Sequence, residues 1–312
     1  MRLAALFPGQ GSQAVGMGRA FYDASPAARA VIDRAEATLP GLRTLMFEGP
    51  AEELTRTENQ QPALVAAGVA ALAAWREAGG PEPEVAAGHS LGEFTAHVAA
   101  GALTLVDALR LVRARGRFMQ EAVPEGEGAM AAILKLDRDV VEALCAEEDG
   151  VVELANLNAP GQIVVSGAAA PVAAVAAAAK ARGGRAVPLK VSAPFHCSLM
   201  RPAAERLAAE LRETTFAPPR LPVVSNVEAT PVTDPAEIAR LLEAQVTAPV
   251  RWTECVASLA EHGVDRWIEF GSGKVLTALV GRIRPDADAR AVADPDGLAA
   301  ALRTDATEEE SR

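Results

Sequence analysis

The chain is poor in the residues that staple or metallate a fold. Three of its 312 residues are cysteines, Cys145, Cys197 and Cys255. An odd number without CxxC or other metal-like spacing excludes a disulfide framework and gives no reason to expect a metal site, so free thiols in a reducing compartment are expected. No stretch approaches the roughly 20 apolar residues of a membrane helix. The opening MRLAALFPGQGSQ has only a short apolar run before Pro8, too little for the core of a secretory signal. A cytoplasmic protein that does not engage a membrane is expected. Positive charge is also in deficit, with 30 Lys and Arg against 41 Asp and Glu and a net charge of -11, which argues against a nucleic-acid surface. Aromatic residues are only 4% of the chain, yet 50% of it is hydrophobic. A sizeable core therefore has to be built from Ala, Val and Leu.

What is present alternates. LAALF (3–7) reads as a strand, 17–37 as helical, and ALVAAGVAALAAWREAG as a helix with Pro62 in its first turn and Gly79-Gly80 as its stop; EVAAG then reads as a strand. Such alternation implies a parallel sheet with helices on its faces. From 129 the order becomes strand, helix with Asp137 as N-cap, strand, turn at Pro160-Gly161, strand, Ala-rich helix and strand (185–191). That β-α-β-β-α-β order is a ferredoxin-like unit. The fold class expected is therefore α/β: a large domain of residues 1–122 and 193–312 with a parallel sheet, and an inserted ferredoxin-like α+β domain of residues 123–192. After the insert, LPVVSNV and RWIEF read as strands, with helices near 199, 235–246, 252–262 and from 274. The terminal DATEEESR reads as a frayed tail.

EVAAGHSLGEF (84–94) places Ser90 between Gly88 and Gly92 at a junction of strand and helix. This is the G-x-S-x-G pattern of a nucleophile elbow, in which small flanking residues let backbone segments meet and the helix N-terminus faces the developing oxyanion. A serine hydroxyl needs a base, and the chain has four histidines. The side chain of His89 should diverge from Ser90 at a sharp turn. His97 lies in mid-helix, and His262 stands where an imidazole caps a helix C-terminus. Elimination favours His196, in SAPFHCSLM where the insert returns the chain to the large domain. No carboxylate stands out as a third member, and His196 lies too early for the usual Ser, Asp, His order of α/β-hydrolases.

The helix TLVDALRLVRARGRFMQEA opens on Thr104 and Asp107, a capping-box variant. Arg110, Arg113 and Arg117 share a solvated side, whereas Arg115 falls among the apolar positions. Two readings of Arg115 stand: an internal salt bridge to a distant Glu, or a bidentate socket for a substrate carboxylate. GQGSQA from Gly9 matches G-x-G-x-x-A, but Asp33 and Glu36, at the distance of a ribose-binding acid, sit in a helical pattern, and dinucleotide binding is disfavoured. A glycine-supported turn is one alternative. In the other, the Gln10 N–H joins that of Leu91 in an oxyanion hole.

Together, FPGQGSQ, GHSLGE, RGRFMQ, APFHCSLM and FGSGKVL resemble the malonyl-CoA:acyl carrier protein transacylase family, in order and over nearly the whole chain. The resemblance implies a hydrolase-like α/β core with a ferredoxin-like insert, Ser90 as nucleophile and His196 as its base. It implies main-chain carbonyls near Gln245 in place of the acid, and an oxyanion hole from Gln10 and Leu91. Arg115 would hold the malonyl carboxylate, and Phe195 would disfavour a branched donor. Malonyl-CoA and CoA would be substrate and product with no tightly bound cofactor and no metal. The partner would be a phosphopantetheinylated acyl carrier protein met by basic residues near the cleft mouth, with Arg113, Arg117, Lys190, Arg201 and Lys274 as candidates. A monomer is the default. A serine thioesterase or esterase, which would share Ser90 and His196, and a non-catalytic carrier-binding module are the alternatives.

Overall fold

The computed structural model of the protein describes residues 2–309, with side chains up to residue 303. Among the described residues ten strands are formed: β1 (Leu3–Phe7), β2 (Val85–Gly88), β3 (Gly128–Leu134), β4 (Val152–Ala159), β5 (Gln162–Ala168), β6 (Arg185–Pro188), β7 (Val223–Val224), β8 (Pro231–Val232), β9 (Arg266–Phe270) and β10 (Asp288–Val292). Six make one sheet in the order β10-β9-β1-β2-β7-β8, parallel except for the β7–β8 pair. The others make an antiparallel sheet in the order β4-β5-β3-β6. In chain order that is fourth, first, third, second from the far edge, the arrangement a ferredoxin-like unit requires.

Strands β1, β2 and β9 are buried along their whole length, as strands covered by helices on both faces must be. Small side chains make the coverage close. In the helix Thr57–Glu77, a Cβ added at Gly68 would stand 3.0 Å from the Thr95 side chain and 3.3 Å from Phe7. Trp75 stacks edge-on against Phe270, which in turn lies beside Phe7. Three aromatic residues thus pack where this helix meets the sheet.

Several expected boundaries move. Pro62 is not in a first turn, because its helix begins at Thr57 and is buried over most of its length; that packing outweighs the one helical hydrogen bond proline cannot donate. Asp137 precedes the helix Arg138–Ala146 but makes no side-chain cap. The LPVVSNV strand shrinks to β7, since the chain turns away at Ser225, whose carbonyl accepts from Ala229 N–H. The helix Pro295–Glu309, capped by Asp294 Oδ1 on Gly297 N–H, runs through most of the segment expected as a frayed tail. The end of that tail, 310–312, lies outside the described residues. Among the described residues no helix is long and apolar enough to cross a membrane.

Candidate active site

Strand β2 ends at Gly88, and three residues later the helix Leu91–Ala99 begins. Ser90 makes the turn at φ 51°, ψ -110°, a conformation that an L residue holds only where its surroundings impose it. The two glycines are required by contact. A Cβ on Gly88 would stand 1.8 Å from Gly92 C, and one on Gly92 would stand 1.9 Å from Phe7 O. Gly9 has the same office, since a Cβ there would meet His89 O at 2.5 Å, so this glycine seats the Gln10 loop on the elbow. Gln10 is held from its side chain, whose Nε2 donates to Thr57 Oγ1 and to Gln60 Oε1. Among the described residues neither the Gln10 nor the Leu91 main-chain N–H has a hydrogen-bond acceptor. The supposed ribose acids Asp33 and Glu36 lie within the helix Pro26–Thr38, not at a strand end.

His196 Nε2 is 2.7 Å from Ser90 Oγ, and its Nδ1 is 2.9 Å from Gln245 O. A carbonyl only accepts, so Nδ1 carries the proton and Nε2 is left bare toward the serine hydroxyl. Burial, with the nearby Arg115 charge adding to it, pushes the His196 pKa down to about 3. The imidazole is therefore neutral at physiological pH and able to take a proton. Like Ser90, His196 has a positive φ, 62°. Among the described residues none of the other three histidines hydrogen-bonds to Ser90 Oγ. His89 Nε2 pairs with Asn158 Oδ1 and its ring lies against Trp252. His97 is buried in its helix, and His262 Nδ1 caps the carbonyl of Ser258.

Arg115 is 0% exposed. Its Nη1 donates to Gln61 Oε1 at 2.9 Å, and its Nη2 to Gln245 Oε1 at 2.9 Å and to Ser90 Oγ at 3.1 Å. No carboxylate among the described residues pairs with it directly, so the internal salt bridge weighed as one reading does not form. Glu93 lies near enough for its charge to act on the guanidinium, but burial dominates and lowers the Arg115 pKa to about 10. Gln245 Nε2 completes the network, donating to Ser90 O at 3.0 Å and to Glu93 Oε2 at 2.6 Å. Burial raises the Glu93 pKa to about 7 against the lowering by hydrogen bonds from Gln245 and from the Asn226 N–H and by the Arg115 charge.

A cavity of about 630 Å³ opens onto Ser90 and His196, with Gln10, Phe195 and Lys190 in its wall. Of the five basic residues expected at its mouth, Lys190 alone lines it; Arg117 stacks over the Phe118 ring instead. Among the described residues no cluster of His, Cys, Asp and Glu could hold a metal.

The chain matches the acyl transferase domain family over residues 5–293. It belongs to that family. It is 48% identical over 97% of its length to the malonyl CoA-acyl carrier protein transacylase of Bacillus subtilis, with 97% of the relative covered. To the enzyme of that name from Escherichia coli it is 47% identical, over 96% of this chain and 99% of the other. Its structure superposes on an acyl-carrier-protein S-malonyltransferase from Burkholderia pseudomallei with a TM-score of 0.94 at 48% identity, covering 97% of this chain and all of the other. A malonyl-transacylase in complex with its type II PKS acyl-carrier protein superposes at 0.95, with 44% identity and coverage of 97% and 100%. Membership accounts for the α/β fold with its small antiparallel sheet.

Sequence reasoning missed Asn226, Glu93 and Gln61. Glu93 left a trace, an acid inside an otherwise apolar helix start, and Gln60-Gln61 another, amides opening a buried helix. Asn226 left none.

Proposed function

We propose that this chain transfers the malonyl group of malonyl-CoA to the phosphopantetheine thiol of an acyl carrier protein, in fatty-acid or polyketide synthesis, through an ester on Ser90. The observation that carries this reading is the buried Arg115 guanidinium, which donates to the oxygen of the serine itself. A planar cation held at that spot by glutamine oxygens, without a carboxylate partner of its own, suits the carboxylate of an acyl group bound to that serine.

In the reading, Ser90 Oγ gives its proton to His196 Nε2 and attacks the thioester carbon. The Gln10 and Leu91 N–H groups hold the oxyanion, which collapses as the C–S bond breaks, and CoA sulfur leaves with the proton from His196. The carrier thiol then reverses these steps and frees Ser90. Gln245 orients the histidine through its main-chain carbonyl, which does the work of the missing acid. Phe195, buried in the cavity wall, restricts room beside the malonyl methylene. The division of the chain at 122/123 and 192/193 belongs to the same reading, with the antiparallel sheet as one unit closing over the cleft.

A serine thioesterase would share Ser90 and His196 but release the acyl group to water. The test is incubation with malonyl-CoA alone, followed by peptide mass analysis. A malonyl increment on the Ser90 peptide that added carrier discharges is expected; steady release of CoA without an adduct would overturn transfer in favour of hydrolysis, and no turnover would favour a carrier-binding module.

A further inference from the structure

Asn226 is 136 residues from Ser90 in the chain and fully buried beside it. Its carboxamide spans the elbow: Oδ1 accepts the Ser90 N–H at 2.6 Å, and Nδ2 donates to Gly88 O at 2.7 Å. Its own main chain is held in turn, the N–H donating to Glu93 Oε2 at 3.1 Å and the carbonyl accepting from Arg251 N–H at 3.0 Å.

The geometry has a simple origin in parallel pairing. The ladder between β2 and β7 ends at Ala87 and Val224. In a parallel sheet, one residue gives its N–H to the carbonyl before the residue it faces, and its own carbonyl takes the N–H after it. With His89 as the facing residue, those groups are Gly88 O and Ser90 N–H. The side-chain amide of Asn226 meets both, and so continues the ladder past the point where the β7 main chain has turned away. It does this at the residue whose φ and ψ need external support.

We propose that Asn226 is a positioning residue for acyl transfer: its carboxamide sets the Ser90 backbone and, by occupying the Ser90 N–H, leaves oxyanion binding to the Gln10 and Leu91 amides. This rests on the reading of Ser90 as nucleophile. Only a carboxamide of this length presents one donor and one acceptor side by side. Aspartate offers no donor to Gly88 O and sets a second anion beside Glu93; alanine offers neither group. A displaced Oγ slows attack without weakening donor binding, so the loss falls on kcat and not on KM.

The experiment is rapid-quench measurement of malonyl-Ser90 formation in the full chain, for wild type, Asn226→Asp and Asn226→Ala. Expected is a rate constant at least tenfold lower in both variants, at a KM for malonyl-CoA within twofold of wild type and an adduct still reaching about one per chain. Wild-type rate constants, or a loss confined to the amount of adduct, would overturn the proposal, the second because it marks a folding defect alone. Should neither variant fold, amide hydrogen exchange of wild-type Ser90 decides: strong protection is expected, and exchange at the rate of an open amide overturns it. A wild type that forms no malonyl-serine removes the underlying reading instead, and is seen in the control.

Discussion

His196 Nε2 lies 2.7 Å from Ser90 Oγ across 106 residues of chain. One partner lies in the turn after a strand of the parallel sheet, and the other sits on the segment that returns from the antiparallel sheet. Both hold positive φ angles, 51° and 62°, so each half of the pair is presented by a backbone forced into place by its neighbours.

Replacing Arg115 by alanine separates donor choice from chemistry. Malonyl transfer is expected to fall by about 100-fold, the size of a lost charge-assisted contact to a desolvated carboxylate. Acetyl transfer is expected to be spared or to rise. Parallel steady-state assays with the two CoA esters check this, and equal losses for both would remove Arg115 from donor selection.

Ser90 holds a strained backbone conformation. Glycine at this position accepts φ 51° freely, which offsets its larger unfolded-state entropy and leaves a net gain of roughly 1 kcal/mol. Ser90→Gly is therefore expected to form no malonyl adduct while melting about 2 °C above wild type. Calorimetry of the two proteins reads it; a lower melting point would show that the serine hydroxyl contributes more through Arg115 and His196 than the backbone costs.

Stability should respond to pH with two opposite signs. His97 is buried with Nδ1 unpartnered, and burial takes its pKa from 6.5 to about 3. Between those values the unfolded chain binds a proton that the folded one refuses, so stability is present above about pH 6.5 and is lost on acidification, by about 1 kcal/mol per pH unit for each such group. His196 acts in the same direction. Glu93, raised from 4.5 to about 7 chiefly by burial, acts in the other: its contribution is full below pH 4.5 and is lost as pH rises through 7. Urea titrations across pH 4–8 should show a shallower acid limb for His97→Leu, and for Glu93→Gln less loss on the way up to neutrality.

Gly92→Ala tests the elbow as a packing constraint. A Cβ 1.9 Å from Phe7 O cannot be absorbed by rotating a side chain, because the obstacle is the backbone of β1. The expected cost is about 3 kcal/mol or more. Loss of soluble protein, or a melting point lower by several degrees, is the outcome to look for in expression and thermal scans.

The sequence by itself determined the alternation of strands and helices, the ferredoxin-like order, the turn at Ser90 and the inward position of Arg115. Each of these follows from local periodicity, glycine spacing or helix phase, which neighbouring residues settle among themselves. Elimination could also reach His196, because the chain has so few histidines. Only the tertiary structure decided who meets whom. His196 Nδ1 faces a main-chain carbonyl, Gln245 O, and every residue has one, so no residue type announces it. Asn226 carries no pattern of its own, since its place arises where β7 stops pairing with β2, and Glu93 shows in the sequence only as an acid in an apolar helix start, without its partners. The salt bridge weighed for Arg115 was likewise undecidable from helix phase, which says that a side chain points inward but not what waits there. The structure places Gln61, Gln245 and Ser90 around it, contacts that span 25 to 130 residues and exist only once the sheet has brought its strand ends together.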